Sequence, residues 1–196
     1  RMQLFNRYPS GNTCLKGRRC SGSCFIMKKP QIFAISGVKN SGKTTLITQI
    51  LPILSGQGLA VATIKHDGHD FDADVPGTDT YRHFHAGAYG TAIFSDSKFM
   101  VVKQQPCMTE EQLMAWFPEA DLILLEGFKT CPYPKIELVR RGNSAKSVCG
   151  RYNLAAIATN LSPEELERDN MKTPLLNLDH PAEIASFMLK KLGETK

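Results

Sequence analysis

Gln31-Ile32-Phe33-Ala34-Ile35-Ser36, running directly into Gly37-Val38-Lys39-Asn40-Ser41-Gly42-Lys43-Thr44, is the stretch on which the reading of this chain turns. The first six residues are strand-like, and the next eight fit G-x-x-x-x-G-K-[ST] at every required position, the pattern of a phosphate-binding loop. Glycine at Gly37 and Gly42 lets the backbone curl so that successive N–H groups point at phosphate oxygens. A helix starting at the loop adds free N–H groups and the positive end of its dipole. Lys43 is then expected to reach the β- and γ-phosphates, and the Thr44 hydroxyl to ligate Mg²⁺. The plain alternative is a Gly/Ser-rich turn that happens to fit. The strand before it and the helix after it argue against that.

Working outward, Leu46, Ile47, Ile50, Leu51 and Leu54 recur at helical spacing, with Pro52 inside the pattern and Gly56 and Gly58 as stop signals. Leu59 to Ile64 reads as a buried strand, so the three elements make a unit that builds parallel sheets with a right-handed crossover. A long polar stretch, Lys65 to Thr78, leads into a helix from about Asp79 to Ala86. Thr91 to Phe94 and Phe99 to Val102, separated by Ser95-Asp96-Ser97-Lys98, predict a hairpin. Thr109-Glu110-Glu111-Gln112 has the form of a capping box, so a helix should start there and run towards Phe117.

Asp121 to Glu126 is the most continuous apolar strand, which implies burial on both faces in the centre of a parallel sheet. Lys135 to Arg140 alternates as a half-exposed strand would. Leu154 to Ala158 and Leu175 to Leu178 are further strands, Ser162 to Glu165 starts a short helix, and Pro181 opens the last helix. The expected fold is α/β: a mostly parallel, P-loop NTPase-like sheet flanked by helices, with an additional antiparallel hairpin.

The chain has 196 residues, 42% hydrophobic and 22% charged, and no apolar run approaches the roughly 20 residues of a membrane span. A soluble, cytoplasmic protein is expected. The net charge of +5 is concentrated in the first 29 residues, which carry seven basic side chains and no acid, so the remainder is slightly acidic. A basic tail of this kind is no argument for nucleic acid, which is not an expected partner. Residues 1–26 lack an apolar signal core and any clear periodicity, and are expected to form a disordered extension, with residues 27–196 as the nucleotide-binding domain. Cys14, Cys20 and Cys24 match no common zinc spacing, and with Cys107, Cys131 and Cys149 they are expected to be reduced thiols.

Glu126 ends the most buried strand, where a parallel sheet presents its ligands, and can hold Mg²⁺ directly or through water. Asp is commoner in that position, and a carboxylate capping the turn Gly127-Phe128-Lys129 is the structural alternative. Lys65, His66 and Asp67 open on the same edge, with Asp67 placed to orient water or a metal-bound water. His66 and His69 make only a weak metal pattern, and His83 and His85 point to different helix faces. Arg82 is either a phosphate or subunit contact or a solvated side chain. Asn160 ends a strand where a purine would cross the sheet edge, and a turn or helix-cap role for it is equally open.

Taken together, the loop from Gly37 to Thr45, the stretch Ile64 to Asp72 with Pro76-Gly77-Thr78-Asp79-Thr80-Tyr81-Arg82, Ala86-Gly87-Ala88, and Leu124 to Lys129 with Pro134-Lys135-Ile136-Glu137 closely resemble the MobB family of molybdopterin-guanine dinucleotide biosynthesis adaptor proteins. The resemblance extends from Met27 to the C-terminus. It implies a GTP-binding homodimer with weak GTPase activity, assisting the molybdenum cofactor guanylyltransferase and other cofactor assembly proteins. The nucleotide contacts it implies are Gly37, Lys39, Asn40, Ser41, Gly42, Lys43, Thr44, Thr45, Lys65, His66, Arg82 and Asn160. Thr44, Glu126 and Asp67 are the Mg²⁺ set, and Asp67, Glu126 and Lys43 the hydrolytic one. The guanine-reading motif N-K-x-D is absent, so the base preference comes from the resemblance alone. An ATP-dependent small-molecule kinase or ligase, with its acceptor bound by the Lys65 to Thr78 loop, uses the same cradle. A binding module without turnover is the third possibility. No motif places an arginine finger, so hydrolysis is expected to be slow.

Overall fold

The structure is a computed structural model that describes residues 29–68, 71–105 and 108–194. The expectations for residues 1–26, for Cys14, Cys20, Cys24 and Cys107, and for His69 lie outside the described residues. Strand β1 (Gln31–Gly37) leads through the phosphate loop into α1 (Lys43–Gly56), followed by β2 (Val61–Lys65), α2 (Asp79–His85), β3 (Gly90–Phe94), β4 (Phe99–Lys103) and α3 (Glu110–Met114). Strands β5 (Leu122–Glu126), β6 (Lys135–Val139), β7 (Leu154–Thr159) and β8 (Leu175–Asn177) precede the last helix, α4 (Pro181–Glu194).

Six strands form one parallel sheet in the order β2-β5-β1-β6-β7-β8, and β3 pairs with β4 as a separate antiparallel hairpin. β1 therefore lies between β5 and β6, and the phosphate loop leaves the middle of the sheet at its carboxyl edge. Leu46, Ile47, Ile50 and Leu54 of α1 and Ile184, Ala185 and Met188 of α4 pack with Phe33, Ile35, Leu122, Leu124, Ile136 and Leu138 in one buried cluster. This apolar burial is the main source of stability and fixes the loop against the sheet. A smaller cluster around Ala34, Ile64, Ile123, Leu125 and Cys131 covers the other face.

Several expectations are corrected. Lys135 to Val139 is buried throughout rather than half-exposed, because β6 is an interior strand and its polar side chains are enclosed. Lys135 is 0% and Glu137 1% exposed. Lys135 Nζ donates to Cys131 O at 2.6 Å and to Tyr152 O. Glu137 accepts from the Ser147 hydroxyl, from Val148 N at 2.7 Å and from Cys149 N at 3.2 Å. β2 is an edge strand with exposed Thr63 and Lys65, and Ile64 is its one fully buried residue.

The helix expected at Ser162 is a turn. Glu165 accepts from Ser162 N at 2.8 Å and pairs with Arg141, and the Glu167 backbone then donates to Ala145 O and accepts from Ser147 N, both at 2.8 Å, which draws the chain away from a second turn. The capping box at Thr109 and Gln112 forms, yet α3 ends at Met114 and continues as i to i+3 turns, with Pro118 disfavouring helical backbone at Phe117. α1 runs on past Pro52 to Gly56.

Candidate functional site

The phosphate loop is shaped by contacts that admit no side chain at Gly37. A Cβ there would lie 2.7 Å from Leu138 O and 2.8 Å from Ser41 Oγ, and the residue has φ 143°. Gly42 is the N-cap of α1 with φ 94°, a left-handed conformation that favours glycine. The first turn of α1 has no side-chain cap and no acidic residue, so its N–H groups and positive dipole end are left for an anion. Ser41 is fully buried, and its Oγ has no hydrogen-bond partner among the described residues. An orphaned buried hydroxyl inside such a loop fits a phosphate ligand.

Lys43 Nζ donates to Val38 O at 2.7 Å and, more weakly, to Gly37 O at 3.4 Å, so the ammonium folds over the loop. Burial lowers its pKa, Glu126 opposes that shift, and Lys129 and Lys65 add to it. A partly desolvated cation beside other cations gains from an anionic partner. Thr44 Oγ1 donates to Glu126 Oε1 at 2.7 Å, which brings two oxygen donors suited to Mg²⁺ together beside the loop. Further ties hold the turn after β5 against β1: Ser36 Oγ donates to Gly127 O at 2.7 Å and Gly127 N to Ile35 O at 3.0 Å.

Strand register aligns Lys65 of β2 with Glu126 of β5, and His66 N donates to Glu126 O at 3.3 Å. Asp67 follows on the same edge, with its carboxylate 3.4 Å from Lys65 Nζ. The His66 ring meets Phe128 edge-on at 5.8 Å. Arg82 is exposed on α2, away from this constellation in that α2 packs on β3. His85 stacks on Tyr81 and bonds its backbone carbonyl. Lys39 and Asn40 are exposed at the loop tip, and Thr45 is exposed on the first turn of α1.

Asn160 directly follows β7, and its Oδ1 accepts from Arg141 N at 2.8 Å, so part of its amide holds a turn. Sequence reasoning missed the segment after β6. Asn143 Nδ2 donates to Lys39 O at 3.0 Å, clamping the phosphate loop from outside, and an Arg140 guanidinium nitrogen lies 3.3 Å from where a Gly42 Cβ would stand. No motif marks these residues. They become visible only when sheet order sets β6 beside β1.

The profile of the family described as Molybdopterin guanine dinucleotide synthesis protein B, MobB, matches residues 32–160. A Haemophilus influenzae molybdopterin-guanine dinucleotide biosynthesis adapter protein is 32% identical over 169 residues, covering 84% of this chain and 90% of its own. The Escherichia coli protein of the same description is 30% identical over 168 residues, covering 81% of this chain and 91% of its own. The crystal structure of Bacillus subtilis MobB superposes with a TM-score of 0.64 at 29% identity, covering 82% of this chain and 97% of that one.

Proposed function

The chain belongs to the MobB family, and from that premise we propose that it serves molybdopterin guanine dinucleotide synthesis in the cytoplasm as a homodimeric, GTP-binding adaptor that hydrolyses GTP slowly. The observation that carries the nucleotide reading is the built phosphate loop. Its glycines are sterically required, its helix end is uncapped, Ser41 Oγ lacks a partner, and Thr44 and Glu126 meet at 2.7 Å.

The loop N–H groups and Lys43 would bind the phosphates, and Thr44 and Glu126 would hold Mg²⁺, which supplies charge neutralisation at the β- and γ-oxygens. Asp67, on the edge beside Glu126, would orient the attacking water. The guanylyltransferase of the molybdenum cofactor is the proposed partner, and a cation from it, or Arg82 of the second subunit, would act as the arginine finger that no motif of this chain marks.

The dimer reading draws on the hairpin, where Phe94 is 85% and Phe99 67% exposed, with Val101 on the same face. A two-stranded hairpin is marginally stable by itself, and an apolar one with open edges needs cover. A kinase would need an acceptor pocket at the phosphate loop. Phe71 to Asp74 of the Lys65 to Thr78 stretch do line a cavity of about 450 Å³, with Tyr81, Phe84, Val102 and Gln104, but no residue of the phosphate loop borders it. Calorimetry of GTP with Mg²⁺, followed by single-turnover hydrolysis with and without the guanylyltransferase, tests the proposal. Absence of triphosphate binding, or ATP turnover stimulated by a small acceptor, would overturn it.

A further inference from the structure

A cavity of about 160 Å³ lies beside the phosphate loop, on the β6 flank of β1 and so across the loop from Glu126. Gly42, Thr45 and Gln49 of the loop and α1 form one wall, Arg140 after β6 a second, and Leu178 and Asp179 after β8 a third. It is well below the roughly 300–1,000 Å³ of a pocket that takes a whole drug-sized ligand. Its size suits one ring system whose phosphates rest on the adjoining loop. Ser41, the buried residue with the unpartnered hydroxyl, also borders it, so the cavity and the phosphate site are continuous.

We propose that this cavity is the base subsite and that Arg140 and Asp179 make it selective for guanine. The inference rests on the nucleotide reading above. A guanidinium only donates hydrogen bonds and an ionised carboxylate only accepts them. Guanine presents two donors, N1–H and the 2-amino group, on one edge, and two acceptors, O6 and N7, on another. The first edge matches Asp179 and the second Arg140. Adenine reverses the match, with an unprotonated N1 facing the carboxylate and a 6-amino donor facing the guanidinium.

Buried Leu178 supplies an apolar surface for the ring. Asn160, at the end of the intervening strand β7, anchors the backbone next to Arg140 through its bond to Arg141 N. Base selection without N-K-x-D then comes from side chains on two separate strand ends.

Binding to the full chain with Mg²⁺ is measured for GTP, ATP, ITP, XTP and inorganic tripolyphosphate. The wild type should prefer GTP over ATP by roughly 5- to 150-fold, with ITP, which lacks the 2-amino group, between them. Asp179→Asn should weaken GTP and strengthen XTP, whose 2-oxo group accepts from the new amide, and leave tripolyphosphate unchanged. Arg140→Ala should weaken GTP more than tripolyphosphate. Equal GTP and ATP affinity with tight tripolyphosphate binding overturns the guanine subsite and leaves the phosphate-loop reading standing. No binding of any of the five overturns both. An unchanged GTP to XTP ratio in Asp179→Asn, or equal losses for GTP and tripolyphosphate in Arg140→Ala, removes that residue from base recognition.

Discussion

Thr44 Oγ1 and Glu126 Oε1 meet at 2.7 Å, joining the end of the phosphate-loop motif to the end of β5, 82 positions later in the chain. Parallel pairing of β1 with β5 makes this contact, since Ile35 and Glu126 are register partners and the loop leaves β1 two residues on. Glu126→Gln keeps the shape and removes the charge. Single-turnover GTP hydrolysis should slow by on the order of 10²-fold while GDP affinity stays within a few-fold, because the charge matters most where the γ-phosphoryl leaves. Thr44→Ala should reduce the Mg²⁺ dependence of GTP binding in a titration at fixed nucleotide. Unchanged hydrolysis in Glu126→Gln would remove the carboxylate from the mechanism.

Lys43 is held by loop carbonyls, chiefly Val38 O. Lys43→Ala should therefore weaken GTP much more than guanosine in paired calorimetric titrations, since the ammonium meets the terminal phosphates and not the nucleoside. Equal losses for both ligands would show that the substitution disorders the loop rather than deleting a phosphate contact.

The phosphate loop, its flanking strand and helix, and Glu126 were legible because they are local in sequence or lie on a continuous apolar strand. The alternation of Lys135-Ile136-Glu137-Leu138 misled, because a polar residue on a strand normally marks the solvent face. Here the segment 140–153 supplies all of Glu137's donors and, with Cys131 O, the acceptors of Lys135, an arrangement with no periodic signature. Arg140, Asn143 and Asp179 were silent for the same reason. Arg140 and Asn143 follow β6 and Asp179 follows β8, and strand order alone brings them to the loop.

Glu137 collects three donors from Ser147, Val148 and Cys149, which ties that covering segment to β6. Glu137→Ala leaves these three donors without their carboxylate, and should cost about 1–3 kcal/mol in urea unfolding, the range for stranding buried hydrogen-bonding groups. A loss below about 1 kcal/mol would mean that water enters and replaces it.

Cys149 sits inside the same network, and burial, reinforced by Glu137, pushes its thiol up from 9.0 to about 12. At pH 8 the folded protein should resist iodoacetamide at this position. The folded thiol keeps its proton from pH 9 to about 12 while the unfolded one loses it, so the unfolded state binds fewer protons and stability falls as pH rises through that window. Cys149→Ala should flatten the fall, as measured by melting temperature between pH 8 and 11. An identical slope in wild type and variant would assign the alkaline loss to other groups.

On the hairpin, direct partners share a face, so Phe94 with Phe99 and Ala92 with Val101 form one apolar surface, while Thr91 and Val102 line the cavity beside α2. One face is thus turned to solvent although its residues are those of a core, and a second copy offering the same surface would bury it in a self-complementary contact. Phe94→Asp places a charge on the most exposed apolar residue of that surface. Sedimentation equilibrium should give a dimer for the wild type and a shift of the variant towards monomer by at least about tenfold in dissociation constant, the effect of roughly 1.4 kcal/mol. GTP affinity should change little, because the phosphate loop and its neighbours lie on the parallel sheet and the hairpin is separate from it. A monomeric wild type, or a Phe94→Asp dimer as tight as the wild type, would move the subunit contact off the hairpin.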